Sequence, residues 1–264
     1  ISLDKFWNPA WTAGCQGLLE FRALESLPDH RWTSAVALLF RALAVHLLDP
    51  ARRPAGLKPL GPELHDRALL PSALWRDLEQ VLADLEDAGL PLDPEPYQAI
   101  WQWRFPALLR WQDGDAELVI RQALEPWPLL CDTPVEGGST SRFVDSSLRR
   151  FELIGNAACR ERYGLKLQGR ELPWPRDPEQ PLAVRYRQEA LFPCLHPCMP
   201  VDVPLRLDLT DRLGTQTMAS WSLQHESTGF EPHTNSPALT DDARLNPAPL
   251  RGDGEHCSTV DLRL

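Results

Sequence analysis

Proline recurs at 26 of the 264 positions, and that frequency constrains the fold before any motif does. Its ring locks φ and removes an amide donor, so the chain is expected to consist of many short elements with fixed corners rather than long helices. Within that limit the hydrophobic periodicity changes once. Up to about residue 101 apolar side chains recur at spacings of three and four; beyond it they alternate. The first pattern marks helices with one buried face, the second half-buried strands.

The helical part reads element by element. Asp29 offers an N-cap to a helix over Trp32–Leu48, with Val36, Leu39, Phe40, Leu43 and Leu47 on one face and Asp49-Pro50 as its end. Residues 51–62 are a basic, Pro- and Gly-rich loop. Ser72 opens a second helix to about Ala88, striped by Leu74, Leu78, Val81, Leu82 and Leu85 and stopped by Gly89. Asp93-Pro94-Glu95 starts a short helix through about Trp101. Asp113-Gly114 then predicts a hairpin between Trp103–Trp111 and Ala116–Ala123. Further strands are expected at Ser141–Leu153, Tyr163–Gln168, Leu182–Gln188, Val203–Leu209 and Thr217–Gln224. From Glu226 periodicity is lost, and an extended tail with a last strand at Thr259–Leu264 is expected. The fold class is α+β: an α+β region over 1–126, a mostly antiparallel β region over 127–225, and the tail over 226–264.

Charge and composition narrow the functions. A formal net charge of −10 argues against a nucleic-acid partner, which needs a basic face. The longest apolar run, Ala35–Leu48, is interrupted by Arg41 and His46 and falls short of the ~20 residues of a membrane helix. No basic leader precedes it, so no membrane partner and a cytoplasmic location are expected. Six irregularly spaced cysteines read as reduced thiols rather than a disulfide framework. An Ile at position 1 suggests an excised domain or fragment, or a processed N-terminus.

The stretch Gly17-Leu18-Leu19-Glu20-Phe21-Arg22-Ala23-Leu24-Glu25 carries the most chemistry. It reads as a strand paired with Ile1–Phe6 in a hairpin. On a strand Glu20 and Arg22 share one face, while Leu19 and Phe21 point into a core. A carboxylate there can hold Mg²⁺ through hard oxygen, and a guanidinium can clamp a phosphate or carboxylate in a fork. A solvent-facing ion pair is the plainer reading of the same pair.

These residues, with "ISLDKFWNP" before them, resemble the late part of the amidoligase domain of bacterial transglutaminase-like proteins. Collinear segments fit the same family: Leu64–Pro71, Trp101–Pro106, Arg121–Trp127, Arg142–Leu153, Val184–Arg187 and Leu195–Leu209. The resemblance covers roughly residues 1–225. It implies a partial glutamine synthetase-like fold and an ATP-dependent carboxylate–amine ligase using Mg²⁺. It casts Glu20 as catalytic residue and metal ligand and Arg22 as catalytic clamp. Glu25 and Lys5, with Asp4, are weaker candidates for the same site. The family's earlier Gly-rich segment with Asn-His and further acidic ligands is absent here, so an incomplete site, inactive alone, is expected. The implied partners are the missing N-terminal part and a peptide or amine substrate.

Other constellations remain open. Arg121 and Glu125 either touch substrate or form a buried pair under Trp127; His65 and Arg67 either contact a ligand or cap the following helix. Cys194, His196 and Cys198, with His256 and Cys257, suit zinc by chemistry but lack a spaced second half; a proline-rich turn is the plainer reading. Asp145-Ser146-Ser147 has no nucleophile-elbow context, and no phosphate-binding Gly-rich motif occurs. The alternative to an enzyme is a β-rich module over 127–264 that binds a peptide or partner domain, with tryptophans for apolar contact.

Overall fold

A computed structural model describes residues 10, 17–18, 21, 24–61, 63–125, 129–134, 140–144, 147–177, 180–189, 200–224, 228–233 and 259–262, the strands at 129–134 and 140–144 by their backbone alone. The chain divides into two compact units, 1–53 with 85–100, and 54–84 with 101–264.

In the smaller unit helix α1 runs His30–Leu48. The Asp29 side chain accepts from the Arg31 amide at 2.8 Å and caps its first turn. By length and composition alone α1 is long and apolar enough to cross a membrane, because Arg41 and His46 are too few to break the window. That revises the length argument made from the sequence; core helices and signal sequences pass the same test. The Phe21 ring lies 4.8 Å from that of Phe40 on α1 and remains 37% exposed. The buried Tyr97 hydroxyl donates to the Ala35 carbonyl at 2.9 Å. The expected strand at Ile1–Phe6 lies outside the described residues. Of Gly17–Leu24 only Gly17, Leu18, Phe21 and Leu24 are described, and none of these is in a strand.

Helix α2 (Pro71–Asp87) and helix α3 (Glu95–Arg104) span the boundary between the units in sequence. Gly89, at φ +76°, closes α2 with bonds from its own amide to Glu86 O at 2.8 Å and from the Leu90 amide to Leu85 O at 2.9 Å. Helix α3 extends past the expected Trp101, taking residues read from the sequence as strand. The Phe105 amide still reaches Trp101 O at 2.9 Å, and Pro106 then forbids another turn.

The larger unit is built on two five-stranded sheets. The first holds β1 (Ala107–Asp113), β2 (Ala116–Ala123), β5 (Leu148–Gly155), β8 (Leu182–Arg187) and β12 (Thr259–Asp261), in that order. Its pairs are antiparallel except β12 with β8, which is parallel. The second orders β11 (Phe230–Pro232), β10 (Thr217–Leu223), β9 (Leu205–Asp211), β6 (Tyr163–Leu167) and β7 (Arg170–Glu171). A separate ribbon pairs β3 (Leu129–Pro134) with β4 (Thr140–Val144). The expected strand at Ser141–Leu153 is thus two strands in different sheets.

One apolar core joins the facing sides of the two large sheets. Leu118, Ile120, Phe151, Leu153, Val184 and Val260 meet Leu165, Leu167, Leu205, Leu207, Leu209, Trp221, Leu223 and Phe230. Strand β11 crosses close over β1: a Cβ on Gly229 would lie 2.5 Å from Leu108 O, so only glycine fits. Helix α4 (Ala157–Arg162), unexpected from the sequence, starts where Asn156 Oδ1 accepts from the Cys159 amide at 2.9 Å. The observed mixture of helices and mostly antiparallel sheets is the α+β class expected.

Candidate functional site

Side chains alternate across a strand, so the core face of the first sheet leaves its other face to the intervening residues. These are Arg121 and Ala123 on β2, Arg150 and Glu152 on β5, Ala183, Arg185 and Arg187 on β8, and Thr259 and Asp261 on β12. A face this charged would ordinarily look into water. Here it is covered. Leu70 and Ala73 pack on Ala123 and Ala183, and a one-turn π-helix at Leu64–Ala68 lies across β5 and β12 through Arg150 and Thr259.

Arg150, 1% exposed, is the centre of the layer. Its Nε donates to Leu124 O at 2.9 Å and lies 3.9 Å from Glu125 Oε2; its Nη1 donates to His65 O at 2.6 Å. Its Nη2 has no hydrogen-bond partner among the described residues. Burial lowers the Arg150 pKa, opposed by the nearby Glu125 carboxylate. Glu125 is also held by Arg185 Nε at 2.7 Å, and Arg185 Nη1 reaches Asp261 Oδ2 at 3.2 Å. Arg121 donates to Phe105 O at 3.1 Å with its guanidinium 4.3 Å from the centre of the Trp101 ring.

Glu152 is fully buried at the start of α2. It accepts from the Ser72 amide at 3.1 Å and the Ser72 hydroxyl at 3.0 Å, where a helix N-terminus favours negative charge. Burial nevertheless pushes its carboxyl up to about 7; the Ser72 bonds, Arg121 and Arg150 pull the other way.

On the opposite face of the same sheet a cleft of about 390 Å³ opens at the end of the sandwich. Gln122, Arg149, Tyr186, Gln188 and Gln224 line it over Pro106, Leu108 and Leu223. Arg149 and Tyr186 are cross-strand partners, and burial raises the Tyr186 phenol to about 12. A guanidinium among carboxamides suits a ligand carrying carboxylate or amide groups.

The residues singled out from sequence are distributed as follows. Glu20, Arg22, Lys5 and Asp4 lie outside the described residues, as do Trp127, Asp145, Ser146, and Cys194, His196, Cys198, His256 and Cys257. Glu25 is exposed in the smaller unit. His65 and Arg67 are exposed on the π-helix, Arg67 bonded to Glu63 at 2.6 Å, while the His65 carbonyl serves Arg150. Arg121 and Glu125 are buried in the charged layer. Arg150, Glu152, Arg185, Asp66 and Asp261 were missed as a network, although four of them fall in the segments Leu64–Pro71, Arg142–Leu153 and Val184–Arg187. The available signal was the alternation of charge with apolar residues in Arg150-Phe151-Glu152-Leu153 and Val184-Arg185-Tyr186-Arg187. Among the described residues no three His, Cys, Asp or Glu side chains gather where they could hold a metal ion.

Fold and site define an α+β protein whose sheet packs an apolar core on one face and an interlocked charged layer on the other. Residues 1–237 match the family described as "Putative amidoligase enzyme (DUF2126)", and the chain belongs to that family. No curated protein matches the chain. No solved structure matches it either.

Proposed function

We propose that this chain forms one wall of an ATP-dependent amidoligase that joins a carboxylate to an amine. The match of residues 1–237 to the amidoligase family, with Glu20-Phe21-Arg22 inside it, carries this reading. ATP with Mg²⁺ would supply activation of the carboxylate as an acyl-phosphate. Glu20 is the proposed magnesium ligand and Arg22 the clamp on phosphate or carboxylate. Catalysis of this kind rests on positioning and charge neutralisation more than on a side-chain nucleophile. The Gly-rich segment and further acidic ligands that the resemblance calls for are not in this sequence, so the proposal includes a missing N-terminal part of the same protein that carries them and completes the site.

The test is ADP release and amide formation over a panel of carboxylates and amines, for this chain alone and joined to the sequence encoded upstream. Turnover is expected only for the joined protein, with Glu20→Gln and Arg22→Lys each abolishing it. Ordinary turnover by this chain alone, or full activity in both variants, overturns the reading. A joined protein that consumes no ATP would instead favour an interaction module over 127–264.

A further inference from the structure

The cleft at the end of the sandwich forms where the core face of the first sheet runs out of apolar residues. Along β2, Leu118 and Ile120 on that face are followed by Gln122. Along β5, Leu153 and Phe151 give way to Arg149, and along β8, Val184 gives way to Tyr186 and Gln188. Three neighbouring strands thus turn from apolar to hydrogen-bonding side chains at the same end. Tyr186 packs its ring 5.6 Å from that of Phe151 and is 5% exposed. A buried tyrosine ordinarily finds its hydroxyl a partner. This hydroxyl has none among the described residues, and Tyr186 lines the cleft. Burial pushes the phenol up to about 12, so it keeps its proton and is a donor. Directly opposite in register, Arg149 fixes Nη1 on the Leu148 carbonyl at 2.9 Å, which holds the planar guanidinium in place. Arg150 borders the cleft as well, but its guanidinium is bonded on the other face of the sheet. No carboxylate is among the described residues that line the cleft.

We propose that this cleft binds a small ligand whose single carboxylate is held by Arg149 and the Tyr186 hydroxyl, with an aliphatic group against Leu108 and Leu223 and an amide met by Gln122 and Gln188. That is the chemistry of an N-acylated apolar amino acid, either free or as the last residue of a peptide. One guanidinium and a neutral hydroxyl match one negative charge and the plane of a carboxylate. Phosphate is more often met by a concave nest of backbone amides. Carboxamides both donate and accept, as the amide of such a ligand does. The volume of about 390 Å³ lies at the small end of ligand pockets, roughly 300–1,000 Å³, and suits one residue rather than a longer segment. The inference does not rest on the ligase reading, since neither ATP and Mg²⁺ nor Glu20 and Arg22 take part in it.

Calorimetric titration of the full chain with N-acetyl-leucine, without ATP or Mg²⁺, tests the site. Saturable one-to-one binding is expected, at least about tenfold tighter than that of N-acetyl-leucinamide, which lacks the charge. Equal binding of the two, binding of neither, or tighter binding of inorganic phosphate overturns the proposal. Tyr186→Phe keeps the ring against Phe151 and breaks no hydrogen bond among the described residues. Its unfolding stability is therefore expected to be unchanged while affinity for N-acetyl-leucine falls about tenfold or more. Arg149→Gln is expected to abolish measurable binding. Unchanged affinity in either folded variant overturns the assignment, and should Arg149→Gln not fold, Tyr186→Phe decides. Acetyl-Ala-Ala-Leu separates the two sources, both of which support the site: tighter binding than N-acetyl-leucine assigns it to a peptide C-terminus, weaker binding to a free acylated amino acid.

Discussion

The two faces of one sheet are held by different physics. On the core face Leu118, Ile120, Phe151, Leu153 and Val184 need only shape and area to be stable. On the other face Arg121, Arg150, Glu152 and Arg185 are stable only while each keeps particular partners at hydrogen-bond distance. Strand β5 serves both, with Phe151 and Leu153 on one side and Arg150 and Glu152 on the other. An apolar face tolerates repacking; a buried charged face specifies which segments cover it. That is why four separated stretches, at the π-helix, the start of α2, the end of β2 and β12, are brought to one place.

Removing a single partner should separate the faces most clearly. Arg150→Met, which removes the donor to the Leu124 and His65 carbonyls and the cation 3.9 Å from Glu125, is expected to cost about 3–5 kcal/mol in denaturant unfolding. Adding Glu125→Leu should recover part of that loss, because it removes the carboxylate that Arg150 no longer faces while Arg185 keeps Asp261 as its partner. If the double variant is no better than the single one, the layer is held by shape rather than by charge.

On the core face, Leu153→Ala is expected to cost about 2–5 kcal/mol through lost burial and the cavity left behind. No second substitution in the charged layer should restore it. Coupling between Leu153→Ala and Arg150→Met in a double-variant cycle would show that the faces are not independent.

The third expectation concerns pH. Glu152 holds its proton more tightly in the folded chain, up to about 7, than its ordinary 4.5. Between those values the unfolded chain has released a proton that the folded chain keeps, so stability falls as pH rises and levels off above about 7. The decline should be roughly 3 kcal/mol, and Glu152→Gln should remove that component from the pH profile. Stability unchanged from pH 5 to 7, or a pH profile unaltered in Glu152→Gln, would mean that Ser72, Arg121 and Arg150 hold the carboxylate ionised.

The smallest effect lies in the other unit. Asp29→Ala removes the α1 cap and should cost about 1 kcal/mol, visible as fraying of the first turn in amide exchange. It should leave both faces of the sheet unchanged.

Much of the fold was legible in local chemistry. Asp29 and Gly89 marked helix ends, Asp113-Gly114 the β1–β2 hairpin, and Leu205-Arg206-Leu207-Asp208-Leu209 a strand with its leucines in the core, though Asp208 is buried as well, because caps, turns and alternation act within a few residues. Helix α3 was read short because the aromatic run through Phe105 suits either a strand or a helix, and packing of Trp101 against Trp75 and Phe105 decides. The Glu20–Arg22 pair is a reading of sequence and resemblance alone.

The charged layer was a different matter. Arg121 and Glu125 stood out singly, but Glu125 sits 60 positions from Arg185 and Thr259 sits 193 from Asp66. Sequence by itself determined the caps and tight turns at Asp29, Gly89 and Asp113-Gly114, which strand residues alternate, and which family the motifs resemble, since those depend on neighbours along the chain. Only the tertiary structure decided that a face of arginines and carboxylates is buried rather than solvated. Burial depends on what covers a face, and a partner distant in sequence leaves no local mark.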